Sequence, residues 1–154
     1  MGHVKPVLGQ LNLVSADPAA SVAFYRRMGV EIADAAIWRT ASGTHHVNAR
    51  SGEIDFELDS ATFAQVWNQG WRGRGDLEGR VVLGFRVVSR EAVDEVYADL
   101  TAAGYAGLQP PHDALWGARY AIIEDPDGIA VGLMSRSRRT SSRCRRMYRH
   151  YRPE

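Results

Sequence analysis

The residues best suited to chemistry alternate with apolar neighbours. Phe56-Glu57-Leu58 sets one carboxylate between two hydrophobic side chains. On a strand, Glu57 must then face away from them. Gln10 and Asn12 alternate with Leu11 and Leu13, and His46 and Asn48 with Val47 and Ala49. Arg86 stands between Phe85 and Val87. A carboxylate on such a face can take a proton as a general base. The amides and the imidazole can orient a ligand, and the guanidinium can hold an anion. Each residue also has an ordinary structural role. Glu57 can be a solvated strand carboxylate, and Gln10 and Asn12 can satisfy buried backbone groups. Arg86 can pair with Asp55 or Glu57. His45 and His46 are adjacent and take opposite faces of a strand, so they do not form a metal pair.

Elements of the right kind flank these residues. Val7–Ser15 reads as a strand. Asp17-Pro18 opens a helix, with Asp as N-cap and Pro at the first turn, and Gly29 closes it. Segments 31–40, 44–50 and 53–59 read as strands separated by small, turn-prone residues. The order repeats in the second half. Val81–Val88 is a strand, Ser89 caps a helix closed by Gly104, and 116–124 and 129–134 are strands. Residues 108–114 contain Pro110-Pro111 and are expected to be loop. Between the halves, Ser60 caps a short helix with Phe63 and Trp67 one turn apart. Gly70, Gly73, Gly75 and Gly79 follow. Trp67 and Trp71 flank this link and are candidates for the wall of a binding cleft or for a dimer contact.

A chain of 154 residues suffices for one domain with a sizeable core. The formal charge of +1 conceals an asymmetry. Ser135–Glu154 holds eight arginines and one acid, which leaves eleven basic and seventeen acidic residues in 1–134. The domain is mildly acidic and is not expected to bind nucleic acid. The tail is too poor in apolar residues to pack and is expected to be a flexible extension. Binding of phosphate polymers is its alternative role. One cysteine, Cys144, excludes an internal disulfide framework. No apolar run approaches the ~20 residues that span a bilayer. The N-terminus has no secretory pattern, so a cytoplasmic location is expected.

The most specific stretch is Tyr120–Met134, which reads as strand, Glu124-Asp-Pro-Asp-Gly128 turn, strand. This turn, closing a module that begins with strand and helix, resembles the vicinal oxygen chelate superfamily of glyoxalase I, extradiol dioxygenases and bleomycin-resistance proteins. The resemblance implies an α+β fold in which two βαβββ modules, about 7–59 and 81–134, curl a mixed sheet around a cleft. Residues 60–80 would link them within a single domain 1–134. It also implies homodimer formation and a small organic ligand.

The family's metal-dependent members place ligands at four positions. Here these correspond to Gln10, Glu57, Val82 and Gly132. Two of the four cannot bind a metal, so the full centre is not expected and no cofactor is required. A metal-independent binding cleft is the first expectation, with Gln10, Asn12, His46, Asn48, Arg86, Trp67 and Trp71 around the ligand. The alternative is a lyase, isomerase or dioxygenase holding Zn, Ni, Mn or Fe at Gln10, His46 and Glu57. A metal-free version of such an enzyme would use Glu57 as base and Arg86 to hold the oxyanion, and Glu57 is the catalytic candidate in both versions.

Overall fold

The computed structural model describes residues 10–67, 81–114 and 117–136. The chain divides into two compact units, Met1–Asp76 and Leu77–Glu154. Each contains a four-stranded mixed sheet, and three α-helices are found among the described residues.

In the first unit, β1 (Gln10–Ser15) leads into α1 (Pro18–Met28). The helix starts where the sequence predicts. The Asp17 carboxylate accepts from the Ala20 N–H at 3.1 Å, and Pro18 fills the first turn, where no donor is needed. It ends at Gly29, whose φ of 107° suits a residue without Cβ. Strands β2 (Ile37–Thr40), β3 (Gly43–Ser51) and β4 (Ile54–Ser60) follow. The sheet order is β1-β4-β3-β2, with β1 and β4 parallel and the other pairs antiparallel. One face buries Val47, Ala49, Phe56 and Leu58 against Val22, Tyr25 and Met28 of α1. The Tyr25 and Phe56 rings meet edge to face at 4.9 Å. The other face is polar.

The second unit repeats this topology. It comprises β5 (Val82–Arg86), α3 (Arg90–Ala102), β6 (Gly107–Asp113), β7 (Arg119–Glu124) and β8 (Ala130–Met134), in the sheet order β5-β8-β7-β6. Ser89 caps α3 by accepting from the Ala92 N–H at 3.0 Å. Leu83, Ala121, Ile123, Val131, Leu133, Val93 and Leu100 form its core. The Asp125–Gly128 turn is fastened by the buried Asp125 carboxylate. Its Oδ1 accepts from the N–H groups of Asp127 at 2.8 Å and Ile129 at 2.9 Å. Gly128 sits at φ 81°, as the turn requires.

Two sequence expectations need correction. Residues 108–114 are not a loop, because Gly107–Asp113 is strand β6 despite Pro110-Pro111. Among the described residues β6 is an edge strand paired with β7 alone, so a residue lacking an N–H costs no ladder bond on its open side. Its register shifts between Gly107 and Gln109 and again between Gln109 and His112, around the prolines. Segment 31–40 is strand only from Ile37, and Asp34–Ala36 form a 3-10 turn before it.

Candidate functional site

The polar face of the first unit gathers most of the predicted site residues. Register places Asn12 and Asn48 on either side of Glu57, and His46 beside Asp59. Three amides converge on the Glu57 carboxylate. Gln10 Nε2 and Asn12 Nδ2 donate to Oε2 at 2.5 and 3.2 Å, and Asn48 Nδ2 donates to Oε1 at 3.1 Å. Glu57 is therefore fixed in position while remaining partly exposed.

Asp59 was not among the residues singled out by sequence, yet it is the most buried member of the group, at 1% exposure. Its Oδ2 accepts from Asn12 Nδ2 at 2.8 Å, and its Oδ1 pairs with His46 Nδ1. Asn12 thus bridges two carboxylates through one nitrogen. Its own Oδ1 is buried with no hydrogen-bond partner. One ligand atom from each of His46, Glu57 and Asp59 can be chosen so that all three lie within 4.8 Å of one another. The available signal for Asp59 was its spacing, since residues 57 and 59 share a strand face.

Helix α2 (Ala61–Trp67) shapes one end of this face. Ser60 caps it, with its Oγ accepting from the Phe63 N–H at 3.1 Å. The helix turns back over β4, β1 and β3. Its Phe63 ring stands 5.5 Å from His46 and 5.4 Å from Trp38, a half-exposed residue on the edge strand. The apolar shoulder beside the polar cluster is therefore Phe63 and Trp38, which sequence did not single out for the site. Trp67 ends α2, and Trp71 lies outside the described residues. So do Trp116, the glycines of the link and the arginine tail beyond Arg136. His45 points elsewhere: its Nε2 meets Thr40 Oγ1 at 2.6 Å and Ser42 Oγ at 3.1 Å.

The second unit carries an apolar version of the same face. Val82 and Gly84 pair with Ala130 and Gly132, as Gln10 and Asn12 pair with Asp55 and Glu57. Tyr120 and Ile122 pair with Met134 and Gly132, as His46 and Asn48 pair with Asp59 and Glu57. Arg86 is exposed at the end of β5 on this face, with no ion pair among the described residues. Gly132 is also filled in. A Cβ built there would lie 2.8 Å from the Tyr120 hydroxyl and 3.0 Å from Cε2 of its ring. Burial pushes the Tyr120 phenol above its ordinary pKa.

The sequence profile of the Glyoxalase/Bleomycin resistance protein/Dioxygenase superfamily matches residues 7–133. This chain belongs to that superfamily. Its structural neighbours agree on the fold. A glyoxalase-related enzyme from Fulvimarina pelagi is 19% identical, with 86% of this chain and 89% of that one covered at a TM-score of 0.70. A glyoxalase/bleomycin resistance protein/dioxygenase family enzyme from Burkholderia phytofirmans PsJN is 20% identical over 83% and 97%, at 0.67. A lactoylglutathione lyase from Agrobacterium tumefaciens is 19% identical over 85% and 94%, at 0.59. No curated protein matches.

The superfamily's four-position metal centre does not fit this chain. Val82 offers a hydrocarbon and Gly132 no side chain, and the Tyr120 ring occupies the space beside Gly132. A catalytic metal usually takes three protein ligands, and only Gln10 and Glu57 remain of those four. No described helix is long and apolar enough to cross a membrane.

Proposed function

We propose that this protein binds a small organic molecule on the polar face of its first unit, without the superfamily's four-position metal centre. The observation that carries this reading is the Glu57 carboxylate held by Gln10, Asn12 and Asn48. The face is rich in acceptors, since it combines two carboxylates with the amide oxygens of exposed Gln10 and Asn48. It suits a ligand that brings N–H or O–H donors or a positive charge. Phe63 and Trp38 offer an aromatic surface for the ligand's apolar part.

The test is a thermal-shift screen of cationic and polyhydroxylated small molecules, followed by calorimetry with Glu57→Gln. A charge-assisted hydrogen bond is worth about 1.5–3 kcal/mol. Affinity should therefore fall roughly ten- to a hundredfold. Equal binding by the variant would remove Glu57 from the site.

A second reading, an enzyme of the lyase, isomerase or dioxygenase kind, is favoured by one contact. Asp59 engages His46 Nδ1, which leaves Nε2 to exchange a proton with a substrate. Glu57 is the alternative base. Turnover that survives both Glu57→Gln and His46→Gln would remove both residues from the mechanism, and no turnover of carbonyl, enediolate or catechol-type substrates by the wild type would exclude this reading.

A further inference from the structure

We infer that the first unit alone binds one divalent transition-metal ion through His46, Glu57 and Asp59. This donor set differs from the superfamily's centre, because it needs nothing from the second unit and joins His46 and Asp59 to Glu57 in place of Gln10, Val82 and Gly132. It does not depend on an organic ligand being bound.

Geometry is the first support. The three ligand atoms lie within 4.8 Å of one another. Two donors at about 2.1 Å from one ion stand about 3.4 Å apart at the tetrahedral angle. The widest pair therefore has to close by up to about 1.4 Å, which rotation of the partly exposed His46 and Glu57 side chains can supply. The donors come from adjacent strands β3 and β4, locked in register by the His46–Asp59 pairing, so the backbone already holds them together.

Charge is the second support. Two carboxylates share the face, and one of them is almost fully buried. Among the described residues Glu57 is met only by neutral amides, those of Gln10, Asn12 and Asn48, and Asp59 by Asn12 and His46. A dication compensates two adjacent carboxylates better than neutral amide donors do.

The Asn12 amide is the third support. Its nitrogen faces both carboxylates while its oxygen is buried without a partner. Such an orphan acceptor is costly. Once an ion is present, a half-turn of the amide would bring Oδ1 in as a fourth donor, the ion replacing the two Nδ2 bonds to the carboxylates, while Nδ2 would take the unpartnered place that Oδ1 leaves. One imidazole with oxygen donors suits Zn, Mn, Fe, Co or Ni rather than Ca or Mg, which prefer oxygen alone.

The experiment uses the full chain, stripped with chelator and freed of it. Co2+ is titrated by visible absorbance and Zn2+ by calorimetry. The expected result is saturation at one ion per chain. Affinity should fall at least about tenfold in His46→Gln and in Asp59→Asn, and rise in Asn12→Asp. Thermal unfolding without metal checks that each variant is folded. If Asp59→Asn is not, the partly exposed His46→Gln and Glu57→Gln carry the test. Absence of saturable binding overturns the inference, as does binding undiminished in His46→Gln and Glu57→Gln. Organic-ligand binding is measured on the metal-free protein, so a failure there leaves this result standing, and the reverse.

Discussion

Gly132→Ala tests whether the second unit's missing ligand position is merely empty or physically closed. The added Cβ would lie 2.8 Å from the Tyr120 hydroxyl, 3.0 Å from Cε2 and 3.2 Å from Cζ. Carbon contacts settle at about 3.5–4.0 Å, so the ring has to withdraw by roughly half an ångström or more. Overpacking of this kind costs about 1–3 kcal/mol. Replacing glycine also stiffens the unfolded chain and returns about 0.4–1 kcal/mol. The net loss should be about 1–2 kcal/mol, or roughly 2–8 °C in unfolding midpoint for a chain of this size. The assay is equilibrium unfolding of four proteins: wild type, Gly132→Ala, Tyr120→Ala and the double variant. With the ring gone, Gly132→Ala should be neutral or stabilising, giving a coupling of at least about 0.5 kcal/mol. An equal loss in both backgrounds would show that Tyr120 does not fill the site. Gly132→Glu should cost more than Gly132→Ala, because a whole carboxylate then competes for the same space.

Asp125→Ala should destabilise the hairpin by about 1–3 kcal/mol, since two turn N–H groups lose a buried acceptor. Asp125→Asn, which keeps the oxygen, should cost less, and denaturant unfolding would compare them. A loss equal to that of alanine would mean that the charge, not the acceptor, fastens the turn. The Asp113 carboxyl is held below its ordinary value of 3.8, first by a hydrogen bond from Arg119 and then by the Arg90 and Arg119 charges. A depressed folded value means that this contribution is present above the unfolded value and fades as pH falls through the folded one. Asp113→Asn should therefore be less stable than wild type near pH 6. The two should converge in acid, as followed by thermal midpoints across pH. The gap is expected to be small because Asp113 is exposed.

Strand alternation was enough to bring Gln10, Asn12, His46, Asn48 and Glu57 to one face, because a period of two leaves little freedom once Phe56 and Leu58 are buried. The same parity applies to Asp59. Parity fixes a face but not a depth, and Asp59 is deep because α2 folds back from Ser60 beside it. The aromatic shoulder followed from that same turn of the chain. Phe63 and Trp38 meet only in three dimensions, whereas the tryptophans beside the glycines were conspicuous in sequence alone. The prolines of β6 misled for a related reason. Their cost depends on whether a neighbouring strand needs the missing donor, and sheet order is not written locally.

The two halves place different side chains at matching register positions. Glu57 and Gly132 occupy matching places, as do His46 and Tyr120. Sequence can show that a donor is absent at residue 132. It cannot show that an aromatic side chain two strand positions away has taken its volume. That difference matters for function. An empty position could be restored by one substitution, whereas a filled one ties the loss of the ligand to the packing of the sheet. In the second unit the Tyr120 ring fills the place beside Gly132, so the ion we infer takes its described donors from the first unit alone.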